Sequence, residues 1–304
     1  MLKNLPPSFA AISRRLMRRK GVVGVFWGVA DPGKGGRCRI RVHVERKIPD
    51  DELTPAQAIR SSIDGIRTRV VQVGTPRAQV LTCKEIVRNG SDARVSTQTA
   101  LIRKNDDEWY ALLCGHGTLP IRGGGLVTDF PNSDHGPSVQ LHDVSSGTSF
   151  QAKVIAGRLT GIQDWTIARA DVPDGPIDLT SPVTGTYRPS LRTSMLARDE
   201  PVRHYSCLDR ASRRGTVAGY GRVLLRIDNG MQYLYTSTFE VFGQSGAFSR
   251  DGDSGSLVVD ANGRAIGILL GRAEPDSDPT LQSYVLPFIS PSGSVIPNLQ
   301  RFFS

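Results

Sequence analysis

The sequence predicts a mainly β protein, two β-barrels preceded by a small α+β module. Three observations lead there. The 304 residues include 32 Gly and 19 Pro, a composition that breaks the chain into short strands and turns and excludes an all-helical bundle. From about residue 96 onward, short apolar stretches alternate with turn residues. The charge is also uneven: residues 1–80 carry 16 Lys and Arg against 6 Asp and Glu, whereas residues 81–304 carry 22 against 23. A net +10 followed by −1 separates a basic N-terminal segment from a near-neutral remainder. The expected division is therefore an accessory module over 1–80 and a second domain over 81–304, with barrels at about 95–170 and 200–290.

Composition also bounds the surroundings. With 38% hydrophobic and 22% charged residues the chain buries a real core. It has no apolar run of the roughly 18 residues that a membrane helix needs. Arg14, Arg15, Arg18 and Arg19 stand where a signal peptide would carry its apolar stretch. A cytoplasmic protein with no membrane partner is expected. Cys38, Cys83, Cys114 and Cys207 form no C-x-x-C pair, which argues against a disulfide framework and a cysteine zinc site. Neither a metal nor a cofactor is expected.

In order along the chain, residues 8–20 place Phe9, Ile12, Leu16 and Met17 at helical spacing among arginines, and Gly21 is a natural stop. One short basic cluster without stacking aromatic residues reads as the solvated face of a docked helix, so nucleic acid is not the favoured partner. Gly21–Ala30 and the alternating Ile40, Val42 and Val44 suggest a hairpin with one wet face, which would put His43 at the surface. A helix is expected around 54–61 and a third strand over Arg67–Val73. Strands then follow at Gln98–Arg103, Trp109–Cys114, Phe150–Ile155 and Trp165–Ala168. Residues 120–149 read as long loops, and the proline-bearing 171–201 as a crossover. Gly215–Ile227, Gln232–Val241, Ser256–Val259, Ala265–Leu270 and Ser283–Leu286 supply the second barrel.

The chemistry concentrates in Gly252-Asp253-Ser254-Gly255, a serine between glycines before the apolar strand Leu257-Val258-Val259. A serine hydroxyl needs a base to become a nucleophile. None of the five histidines follows Ser254, which excludes the α/β-hydrolase order of nucleophile, acid and His. His116 ends the apolar strand Trp109–Cys114, and Asp164 opens the strand Asp164–Ala168. His135, His142 and His204 end no such strand. Taken singly, each candidate has a plain structural role available: a capping Asp, a satisfied polar His, a glycine loop.

Together they resemble the trypsin-like (chymotrypsin-fold) serine peptidases, and the resemblance implies a double six-stranded antiparallel β-barrel. Gly252-Asp253-Ser254-Gly255 is similar to the nucleophile motif, Cys114-Gly115-His116 to the end of the His strand, Asp164-Trp165-Thr166-Ile167-Ala168 to the acid motif, and Gly263–Ile268 to the strand beside the specificity pocket. The intervals of 48 and 90 residues run in family order, over roughly residues 95–290. Ser256 and Leu257 depart from the usual Gly-Pro, and Cys114 and Gly117 replace the residues that flank the family's histidine. These departures resemble an intracellular bacterial branch. Gly21–Val25, Lys47-Ile48-Pro49, Ile63-Asp64-Gly65 and Val71–Gly74 are similar to a module that precedes such domains in bacterial proteins.

The resemblance implies a serine endopeptidase in which Ser254 attacks, His116 moves the proton and Asp164 orients the imidazole, with the amides of Gly252 and Ser254 as oxyanion hole. It places Phe248 at the base of the specificity pocket, with Leu269, Leu270, Gly271 and Arg272 at its wall and rim. The absence of an acid at 248 favours small or apolar side chains, although Asp251 lies close enough to support a basic preference. Substrates are then proteins or peptides, and residues 1–80 would meet a regulatory protein or gate the site. The partner of Asp253 is open. The alternative is a catalytically silent binding or scaffold protein on the same fold, with its basic N-terminus contacting a partner or nucleic acid.

Overall fold

The computed structural model describes residues 5–29, 36–78, 97, 99–105, 108–119, 121–122, 125–126, 129–130, 136–142, 148–172, 190–206, 209–227, 231–273, 282–289 and 294–295. It begins with α1 (Phe9–Met17), which buries Phe9, Ile12 and Leu16 and leaves Arg14, Arg15 and Arg18 in solvent. Gly21, at φ 78°, turns the chain out of the helix. Next come β1 (Val22–Val29), β2 (Cys38–Val44), β3 (Ser62–Ile63), β4 (Ile66–Gln72) and β5 (Arg77–Ala78). β1 pairs antiparallel with β2, and β2 pairs parallel with β4. The expected helix at 54–61 is instead a single turn, closed where Gln57 and Ala58 donate to Thr54 O. A parallel partner for β2 needs a crossover, and this stretch supplies it.

A six-stranded sheet follows: β6 (Ala100–Asn105), β7 (Glu108–Leu113), then after α2 (Gly115–Thr118) and the small hairpin β8 (Ile121–Arg122) and β9 (Gly125–Leu126), β10 (Asp129–Phe130), β11 (Ser138–His142), β12 (Ser149–Thr160) and β13 (Gln163–Ala170). Its order is β10-β12-β13-β7-β6 with β11 also on β12, and the described residues do not close it into a ring. Four short strands thus occupy the 120–149 span read as loops. Three of them are two residues long and leave no periodic signature, whereas β11 alternates, with Val139 and Leu141 buried.

The second sheet holds β14 (Pro201–Ser206), β15 (Ala211–Arg226), β16 (Gln232–Gly243), β17 (Leu257–Asp260), β18 (Ala265–Arg272) and β19 (Gln282–Pro287). Pairings run β14-β17-β18-β19-β16-β15 and return from β15 to β14, a ring of six. Its interior is packed with Val202, Val217, Phe239, Val241, Val258, Ile266 and Val285. β14 lies where the sequence reading placed the end of the crossover.

The N-terminal strands extend the second sheet. β1 hydrogen-bonds along the outer part of β15 from Gly24↔Val223 to Gly28↔Gly219, so β4, β2, β1 and the ring form one continuous sheet. β1 is buried on both faces: Val25 and Trp27 pack with α1, and Phe26 packs with Leu225, Tyr235, Leu270 and Tyr284. This corrects the expected wet face of the hairpin. Arg41 and His43 of β2 are buried, and Arg41 Nη1 lies 2.9 Å from Glu240 Oε2 on β16. His43 Nε2 lies 3.1 Å from Glu240 Oε1, and its Nδ1 is 3.2 Å from Tyr284 Oη on β19. Alternation told which β2 residues share a face; the distant strands that cover that face decide its polarity.

Candidate active site

Three separately positioned side chains meet where the two sheets adjoin. His116 sits in α2, the single turn that ends β7. Asp164 is the second residue of β13, which pairs with β7 through Thr166↔Leu113. Ser254 precedes β17, in a turn that opens with Gly252 at φ 91° and closes with Gly255 at φ 94°. The segment before β6 fastens that turn: Thr97 N–H donates to Ser254 O at 2.7 Å, and Thr97 and Thr99 hydroxyls donate to the carbonyls of Gly252 and Gly255.

The resulting chain of contacts is continuous. Asp164 Oδ1 accepts His116 N–H at 2.8 Å, Asp164 Oδ2 lies 2.5 Å from His116 Nδ1, and His116 Nε2 lies 2.6 Å from Ser254 Oγ. Gly115 makes this approach feasible, because a Cβ there would stand 2.8 Å from Asp164 Oδ1. All three residues are fully buried. The Ser254 hydroxyl also donates to Leu270 O at 2.7 Å. One hydroxyl proton serves one acceptor at a time, so the Leu270 bond suits an imidazolium donating from Nε2, and release of that proton leaves Nε2 free to accept from Ser254.

Tyr235 on β16 is the functional residue that sequence reading missed. Its hydroxyl donates to Asp164 Oδ2 at 2.6 Å, giving the carboxylate a third donor. Nothing in the sequence marks it beyond the rule that a buried tyrosine hydroxyl needs an acceptor. Burial is the largest influence on Asp164 and disfavours its charge, but His116 and the hydrogen bonds from His116 and Tyr235 outweigh it and hold the carboxyl below its usual range. Burial and the Asp164 charge push Tyr235 well above 10, which keeps it a donor. Burial likewise opposes charge on His116, yet Asp164 and Cys114 raise it well above 6.5.

A pH dependence follows with opposite signs for rate and stability. A histidine accepts a proton from a neighbouring hydroxyl only when it is neutral, so the reactivity of Ser254 toward an acylating reagent is expected to rise with pH through the elevated His116 value, above 6.5. A raised folded-state pKa stabilises most below the unfolded value near 6.5, and that contribution fades as pH climbs through the folded one. The pH profile of acylation set beside denaturant titrations over the same range checks both; a rate midpoint below 6.5 would contradict the arrangement.

The other candidates lie as follows. The amides of Gly252 and Ser254 donate to no acceptor among the described residues. Phe248 is fully buried, with its ring edge-on to His204 at 4.8 Å, in the core that also holds Val217, Val241 and Leu269. Leu270 points to the opposite side, among Leu159, Tyr235 and Phe26. Gly271 and Arg272 follow on the edge of β18, and Arg272 Nη2 lies 3.3 Å from Asp251 Oδ1. Asp253 Oδ2 accepts Arg250 N–H at 2.8 Å and stands 4.0 Å from His204 Nε2, both side chains buried. His142 is exposed and bonded to Ser149, and His135 lies outside the described residues.

No family model matches the chain, and no curated protein matches it. Solved structures do. Thermobifida fusca protease A is 15% identical over 70% of this chain and 89% of its own, with a TM-score of 0.39. The active form of the Rv3671c protease from M. tuberculosis is 16% identical over 76% and 89%, with a TM-score of 0.43. Cellulomonas bogoriensis chymotrypsin is 12% identical over 71% and 91%, with a TM-score of 0.38. All three neighbours are proteases. No helix among the described residues is long and apolar enough to cross a membrane.

Proposed function

We propose that the chain is a serine endopeptidase of the trypsin-like type. Ser254 is the nucleophile, His116 the general base and then acid, and Asp164 the group that fixes the imidazole. The observation that carries this is the unbroken series Asp164–His116–Ser254, with contacts of 2.5 and 2.6 Å between buried groups. As Ser254 Oγ bonds to the substrate carbonyl carbon, its proton passes to His116 Nε2, and the imidazolium is stabilised by Asp164. The carbonyl oxygen takes the negative charge, which the unengaged amides of Gly252 and Ser254 receive. Collapse breaks the peptide bond as His116 returns the proton to the leaving amine, and water then cleaves the acyl-enzyme by the same route.

In this reading the barrels form the catalytic domain over 81–304 and residues 1–80 an accessory module through which a partner acts. A reducing cytoplasmic setting fits the free thiols of Cys38 and Cys114. The first test is a fluorophosphonate, which labels an activated serine without needing a known substrate. Wild-type protein is expected to label, and Ser254→Ala and His116→Ala are expected not to; a folded wild type that stays unlabelled would favour the silent binding protein.

A further inference from the structure

The edge strand nearest Ser254 is already occupied by the chain itself. β18 is paired with β19 along one side from Gly267↔Pro287 to Arg272↔Ser283. On its other side β17 covers only the first half, ending at Leu257↔Ile268. The second half of that side is taken by β5, antiparallel, with Gly271↔Ala78 and Arg272↔Arg77. Advancing along β5 therefore means moving from Arg272 toward Leu270, whose carbonyl accepts the Ser254 hydroxyl. A peptide strand in this register and direction is carried straight to the nucleophile.

Two further features show an edge shaped for a backbone. A Cβ at Gly271 would stand 2.0 Å from Arg77 O and 2.9 Å from the Ala78 Cα, so only glycine lets another main chain lie this close. The occupant is also held from behind: Pro76 is buried, and its carbonyl accepts Arg226 N–H at 2.8 Å. Among the described residues β5 offers two positions to β18, and Arg77 also pairs with Arg226 of β15; with Arg77 exposed and Ala78 half-buried, this is a short contact compared with a full strand. Ser254 and His116 meanwhile have no exposed surface.

We infer that Arg77–Ala78 fills the strand edge Gly271–Arg272 as a built-in competitor, which a substrate strand must displace to reach Ser254. This rests on the serine endopeptidase reading above, in which substrate pairs with that edge. Main-chain pairing gives affinity with little dependence on side chains, so a short piece of the chain's own backbone can compete there with any extended substrate. Occupation by the chain's own residues raises the apparent KM, which equals the intrinsic value divided by the fraction of molecules in which the edge is free.

Two measurements test it on the full-length protein. In wild type, hydrogen exchange at Arg77 and Ala78 is followed after reaction with a small fluorophosphonate or with tetrapeptide diphenyl phosphonates varied next to phosphorus. Both reagents bond to Ser254, but only the peptides extend over the edge. Exchange at 77–78 is expected to accelerate with the peptidyl reagents alone. Separately, Arg77→Pro, which removes the β5 amide that faces Arg272 of β18, is expected to lower KM for peptides about tenfold or more while fluorophosphonate labelling changes less than about twofold. Labelled Ser254 with unchanged exchange at 77–78 would overturn the competitor and leave the protease standing. Failure of every reagent to label Ser254 would overturn both.

Discussion

Ser254→Ala is expected to lower kcat for peptide hydrolysis about 10⁶-fold, and Asp164→Asn about 10⁴-fold, with both proteins folded. The order follows from the role proposed for each group. Removing Oγ removes the bond-forming atom, and neither His116 nor the oxyanion amides can then be used in acyl transfer. Asp164 forms no bond to substrate. Its carboxylate accepts from His116 N–H, from Nδ1 and from Tyr235, and an amide presents a donor to at least one of these. An asparagine NH₂ facing Nδ1 forces the proton onto Nε2, where it faces Ser254 as a donor and cannot accept. The variant should also lose the elevation of the His116 pKa, whose favourable causes begin with the Asp164 charge. Steady-state kinetics across pH, with circular dichroism to confirm folding, separates the cases. Hydrolysis that survives Ser254→Ala, or an Asp164→Asn enzyme with unchanged kcat, would remove these residues from the mechanism.

That three residues 48 and 90 positions apart could be nominated at all reflects how local their signals are. A glycine-flanked serine, a histidine after an apolar strand and an aspartate opening another are each written within a few residues. Tyr235 carries no such mark, because its role depends on β16 lying across from β13, a relation set by tertiary packing. The same limit explains Arg41 and His43. Period-two alternation assigns residues to a face, but whether that face meets water depends on Glu240 and Tyr284, about 200 and 240 residues away. β5 is subtler still: two residues leave no pattern, and its place on β18 comes from the closeness that Gly271 permits. Most strands of the ring were legible for the opposite reason, since they are long apolar runs, β15 and β16 each burying five or more consecutive residues.

The buried cluster joining β2 to the ring sets the second large expectation. Glu240→Ala should destabilise the protein by about 3–5 kcal/mol, because it strands the Arg41 guanidinium in the interior without its carboxylate. Arg41 is 2% exposed, and its remaining close neighbour is the face of Phe242, 5.1 Å from the ring centroid. That contact offsets only part of the loss. Replacing both partners by leucine, Arg41→Leu/Glu240→Leu, should recover most of the stability, since it removes the charge together with the need to pair it. The acid side adds a signature. Burial pushes Glu240 up, but Arg41 and then His43 hold it below its usual range, while burial, the largest influence on His43, holds that imidazole below 6.5. Both depressed values contribute stability at neutral pH that is lost as pH falls, for His43 first and for Glu240 below the ordinary carboxylate range. Guanidinium titrations followed by fluorescence in a Trp109→Phe/Trp165→Phe background, where Trp27 is the single tryptophan, at pH 7 and at pH 4, measure all of this. Trp27 lies on β1, which pairs with β2 and β15 alike, so loss of the Glu240 carboxylate should shift one common transition. A Glu240→Ala transition that splits, with Trp27 released before the ring unfolds, would mean that β1 and β2 are held mainly by this ion pair and not by the continuous sheet.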